Sequence, residues 1–152
     1  GSVSSIAPLP GDVLAVGYED GSLELLSNDA GHEHLAFEDV PASRAVRLLR
    51  GPANTIVGGF ASGTVAMWSL RDGKRLADAR LHGPVVHLLV EGRRLFAATD
   101  LGHHLTWDLT AFHQDYCELL REVWSRVPVV WSEGRPVLAS PPSEHPCIDG
   151  TP

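Results

Sequence analysis

The chain has 152 residues, 43% hydrophobic and 20% charged, which is the size of one domain with a buried core. Twelve basic against nineteen acidic residues leave a net charge of −7, which disfavours the phosphate contacts on which nucleic-acid affinity rests. No apolar run approaches the roughly 20 residues that cross a bilayer, and no charged-then-apolar leader opens the chain, so the expectation is a cytoplasmic protein with neither nucleic-acid nor membrane partners. Gly1-Ser2 without a methionine reads as the scar of a removed tag, with residue 3 beginning an excised piece of a longer protein.

In chain order, alternation and turn punctuation predict strands at Ile6–Leu9, Val13–Tyr18, Ser22–Leu26 and His34–Phe37, broken at Pro10-Gly11, Asp20-Gly21 and Ser27 to Gly31. The same order returns at Ala45–Leu49, Thr55–Phe60, Thr64–Trp68 and Arg75–Ala79. It returns again at Val85–Val90, Leu95–Thr99 and His104–Trp107. Then the period changes. Phe112, Tyr116, Leu119, Leu120, Val123 and Trp124 form one stripe of a helix over Thr110–Ser125, with Thr110 as its N-cap and Pro128 as its stop. Val127–Trp131 and Arg135–Leu138 flank Ser132-Glu133-Gly134 as a hairpin, one strand of which is expected to complete the third unit. A proline-rich tail ends the chain.

The three units share a fourteen-residue pattern, Leu14 to Ser27, Ile56 to Ser69 and Leu95 to Asp108, with turn glycines Gly21, Gly63 and Gly102 that are 42 and 39 residues apart. A period near 40 built of short strands and tight turns is the mark of β-propeller blades. The fold class expected is therefore all-β: a partial propeller of three four-stranded blades, residues 4–38, 43–80 and 84–109 within 3–109. A C-terminal section, 110–152, holds the helix, the hairpin and the tail, expected to pack on the last blade.

Gly-Thr-Val-Ala-Met-Trp-Ser at Gly63 to Ser69, Leu-Thr-Trp-Asp at Leu105 to Asp108, and Leu81-His82-Gly83 before the third blade resemble the WD-repeat (WD40) family over roughly residues 4 to 110. The resemblance implies blades ringing a central channel and serving as a docking platform, seldom as a catalyst. It also implies a hydrogen-bonded set of His, Ser or Thr, Asp and Trp in each blade. Blade three offers His82, Thr99 and Trp107 but has Leu101 in place of the aspartate; blade two has Phe60 and Ser62 beside Trp68; blade one keeps Asp20 but has Leu26 in place of tryptophan. The section from Tyr116-Cys117-Glu118-Leu119-Leu120 through Val127-Pro128-Val129-Val130-Trp131 to His145-Pro146-Cys147 resembles the closing segment of such arrays in large bacterial multidomain proteins, where repeat sensors are fused to signalling domains. Three blades do not close a ring. The implied partner is a protein or the remaining blades, with a homodimer through the open blade edges as one form.

Chemistry-bearing residues are few. His113 and Cys117 lie four apart on the predicted helix and His145 and Cys147 two apart in the tail, a set that zinc accepts in tetrahedral geometry as a structural clip. The alternatives are a buried Cys117 with a solvated His113, or a Cys117–Cys147 disulfide. His32 with His34, and His103 with His104, read as turn and edge residues, and Trp124 and Trp131 as core for helix and hairpin. Gly58-Gly59 lies within a strand pattern and is no phosphate loop, and no Gly-x-Ser-x-Gly elbow is present, so no catalytic residue and no cofactor are expected, structural zinc being the alternative. The turns at Glu19-Asp20, Ser62 and Asp100-Leu101, with the loop at His82, converge on one rim if the blades stack; that rim is the binding candidate, although turn chemistry alone also selects such residues. The function expected is a noncatalytic interaction or sensor module, against the alternative of a regulatory domain governed by metal or redox state.

Overall fold

A computed structural model describes residues 1–27, 35–138 and 144–148. The chain divides into two units, Gly1–Leu109 and Thr110–Pro152.

The first unit is three antiparallel meanders. Strands β1 (Val3–Leu9), β2 (Val13–Tyr18) and β3 (Leu23–Ser27) form the first sheet. The second holds β4 (Ala45–Arg50), β5 (Thr55–Phe60), β6 (Thr64–Ser69) and β7 (Arg75–Arg80), and the third β8 (Val85–Glu91), β9 (Arg94–Thr99) and β10 (His104–Asp108). Only the middle blade has four strands among the described residues. The fourth strand expected at His34–Phe37 falls partly outside them, and Leu35 to Phe37 are not a strand; Phe37 instead sets its ring edge-on to Trp68 with centroids 6.1 Å apart. The first strands β1, β4 and β8 lie side by side.

Cross-strand registers sort each blade into a leading face, toward the blade before it, and a trailing face, toward the blade after it. In the middle blade Ile56 pairs with Trp68 and Gly58 with Ala66, and Ile56, Ala66 and Trp68 join Ala7, Ala15 and Leu23 of blade one in a single core. Val57 with Met67, and Gly59 with Val65, take the opposite face, where a side chain at Gly59 would strike Val85. With neighbours on both faces, β5 is buried along its whole length. Trp68 is the largest buried side chain, and its indole N–H donates to the Glu38 carbonyl at 2.8 Å, so burial leaves no orphan donor. Ser4 ties blade one to blade two: its hydroxyl lies 3.0 Å from the Gly17 carbonyl and 2.8 Å from that of Ala45.

The second unit departs from the expected single helix. Thr110–His113 is a 3₁₀ turn, and the helix α1 runs from Tyr116 to Arg126. Its N-cap is Asp115, not Thr110: the Asp115 carboxylate accepts from the Glu118 N–H at 2.8 Å, and Asp-x-x-Glu is the capping pattern that begins a helix. Val127 caps the other end, just before Pro128. Strands β11 (Val129–Ser132) and β12 (Arg135–Leu138) pair with each other in a two-stranded sheet of their own among the described residues. Trp131 is 77% exposed and is not core, because two short strands alone enclose no apolar interior. No helix among the described residues is long and apolar enough to cross a membrane.

Candidate docking rim

Each blade turns from its second to its third strand in the same way. The residue after the second strand, Glu19, Ala61 or Asp100, donates its N–H to the carbonyl of the residue in front of that blade's first strand, Ser2, Arg44 or Pro84, at 2.9, 2.9 and 3.2 Å. The glycine two places on, Gly21, Gly63 or Gly102, donates back to Tyr18, Phe60 or Thr99 at 3.1, 3.0 and 3.1 Å. All three glycines hold positive φ, +94, +85 and +82, the conformation a tight turn of this kind demands.

These turns also touch the next blade. Leu81, leading into β8, donates to the Gly63 carbonyl at 2.9 Å, and Gly21 lies so close to Pro41 and Ser43 that a side chain there would overlap their backbone. Ser43 closes the link from its own side, its hydroxyl accepting the Ser62 N–H at 2.9 Å. Glu19, Asp20, Ser62, His82, Asp100 and Leu101 therefore stand along one edge of the unit, on or beside turns closed by these hydrogen bonds. Ser43 and Arg44, which connect the turns, were not singled out in the sequence; their position just before a predicted first strand was the available signal.

The side chains of this edge differ in their freedom. Asp20 accepts from the Ser22 hydroxyl at 2.6 Å and from its N–H at 2.9 Å, and these bonds, the hydroxyl first, hold its carboxyl below the ordinary value. Glu19 faces Arg44 at 3.8 Å with both side chains half exposed, a pair of little energetic weight. Ser62 shares a 3.0 Å hydrogen bond with Thr64. His82 is exposed and lies against the His103 ring, centroids 5.2 Å apart. Thr99, which the resemblance groups with His82 and Trp107, instead accepts the His103 N–H at 3.2 Å. Asp100 is exposed, and Leu101 next to it is 67% exposed.

The expected zinc set is not assembled. Cys117 and Cys147 are joined in a disulfide with the sulfurs 2.07 Å apart, which takes both thiolates from any metal. His113 ends the 3₁₀ turn, exposed, and shares no helix with Cys117, because Gln114 and the cap at Asp115 intervene. His145 accepts the Cys147 N–H on Nδ1 at 3.2 Å, and its ring lies near Trp124 and Tyr116, with centroids 5.2 and 6.4 Å away. Arg121 donates to the Cys147 carbonyl at 3.0 Å. Among the described residues no group of three or more His, Cys, Asp or Glu side chains could hold a metal ion. The pair His32 and His34 lies outside the described residues.

A second surface has no counterpart among the residues singled out in the sequence. On the trailing face of blade three a groove of about 320 Å³ opens between His87, Leu89, Phe96, Ala98, His104 and Thr106. Leu89 is 55% exposed in it.

No protein-family model matches the chain, and no curated protein does. Solved structures do. The computationally designed Ika8 protein superposes with a TM-score of 0.61 at 21% identity, over 70% of this chain and 33% of its own. The WD40 β-propeller domain of Doa1 gives 0.59 at 14%, over 71% and 38%, and Sqt1 of Saccharomyces cerevisiae 0.56 at 18%, over 70% and 31%. The fold is a partial WD40-like propeller. The chain spans about a third of the length of these relatives in structure.

Proposed function

We propose that this WD40-like segment is a noncatalytic protein-interaction module that docks a protein partner, or further blades, within a larger protein. The observation that carries the reading is the rim. Glu19, Asp20, Asp100 and Leu101 project from turns whose main-chain groups already pair with one another, so docking there costs little further backbone entropy. An edge that offers the carboxylates of Glu19, Asp20 and Asp100 together with the exposed Leu101 suits a partner with basic and apolar side chains. The net charge of −7 and the absence of a basic stripe speak against nucleic acid as that partner.

The test compares wild-type chain with the double variant Asp20→Lys, Leu101→Glu as bait in lysate of the source cell, followed by titration of whatever protein the wild type retains. A partner bound by the wild type and lost by the variant supports docking at the rim. Equal binding by both proteins overturns it.

A further inference from the structure

The middle blade shows what a blade looks like with neighbours on both sides. The positions that Val57, Gly59, Val65 and Met67 hold on its buried trailing face are held in blade three by Phe96, Ala98, His104 and Thr106, and there they line the open groove. At the other end of the array, Leu14, Val16, Glu24 and Leu26 of blade one take the places of Ile56, Gly58, Ala66 and Trp68 on the leading face, where Val16 is buried but Leu14 and Leu26 are exposed, with Ile6 beside them 60% exposed. One end of the unit thus lacks what the other presents.

The turn glycines repeat the message. Gly21 and Gly63 are each crowded by the segment leading into the next blade, whereas Gly102, at nearly the same φ, faces open space. Nothing in the Thr99–Gly102 turn itself asks for that room.

From these we infer that the groove of blade three receives blade one of a second copy of this chain, Leu14, Leu26 and Ile6 seating against Leu89, Phe96 and Ala98. The contact is head-to-tail, so the same pair of surfaces is used twice and two copies close on each other. Two sets of three blades fall within the four to eight or so that propellers use. The inference rests on the reading of the chain as a docking module and names one of its partners.

The experiment measures solution mass by light scattering over a range of concentrations, for the wild-type chain, Leu89→Glu, Leu26→Glu, and the two variants mixed. The expected results are a species of twice 16.4 kDa for wild type, a dissociation constant raised about tenfold or more in each variant alone, and dimer regained on mixing, since the mixture rebuilds one unaltered contact. Circular dichroism confirms that each variant is folded, and Thr106→Arg serves as a second trailing-face variant should Leu89→Glu not fold. A dimer weakened by Leu89→Glu but not by Leu26→Glu, or not regained on mixing, overturns the head-to-tail pairing. A monomer that still holds a rim-dependent partner overturns the paired ring alone; a monomer with no partner at all overturns the docking reading too.

Discussion

Replacing Gly63 and Gly102 separately by alanine gives two perturbations that are alike in the backbone and unlike in their surroundings. Both residues hold φ near +80°, +85 and +82, where an L side chain costs about 1–2 kcal/mol. At Gly102 that is the whole effect, because a Cβ there meets nothing within 4 Å. At Gly63 the new Cβ overlaps the Leu81 carbonyl and lies 2.8 Å from the Gly83 oxygen. These are backbone atoms that cannot swing aside. The loop before β8 has to shift, losing the Leu81 N–H to Gly63 bond, worth about 1 kcal/mol, with overpacking of about 1–3 kcal/mol besides. Gly63→Ala is therefore expected to destabilise by about 2–4 kcal/mol more than Gly102→Ala. Urea unfolding followed by tryptophan emission, at protein concentrations low enough to keep the chain monomeric, measures the difference. Equal losses in the two variants would refute the blade-to-blade contact on which the assignment of the rim depends.

Trp68→Phe should lower stability by about 1–3 kcal/mol, since it leaves the Glu38 carbonyl without its donor and a small void beneath Phe37 and Phe60; a thermal melt within a degree of wild type would contradict this. Reducing the Cys117–Cys147 disulfide releases a closure across 30 residues, worth about 3.6 kcal/mol to the second unit by loop entropy, so amide exchange of α1 should quicken and Trp124 emission change as His145 departs; protection unaltered by reductant would count against the clasp. Asp20 and Asp72 titrate below their ordinary value of 3.8, through the hydroxyls of Ser22 and Ser69 first, so what they add to stability is present above that value and is lost as pH falls through the lower folded-state pKa. Asp20→Asn should accordingly flatten the acid limb of the stability profile, and an unchanged limb in urea titrations below pH 4 would show that the Ser22 bonds do not persist in solution.

The strands were legible because two-residue turns punctuate them. Val13–Tyr18 and Thr55–Phe60 match their predicted bounds, each lying between a Pro, Gly or Asn signal and a turn glycine. The helix start was misplaced because Thr110 and Asp115 are both good caps and only the second has a glutamate three residues on. Cysteine and histidine spacing could not separate a ligand set from a disulfide: both require the tail to approach the helix, and the distance between sulfurs decides. That the turns share one edge followed from topology, since equivalent turns of stacked meanders must fall together. The groove did not follow, because Phe96 and Leu89 are ordinary strand residues whose exposure depends on a neighbour, not on their own pattern.

Among the described residues, every hydrogen-bonded ladder joins strands adjacent in sequence. On the ribosome each blade can accordingly close its ladder as soon as its own strands emerge, without waiting for distant chain. Its trailing face has to wait for the blade that follows. Within these three blades the order of synthesis is thus also the order of burial.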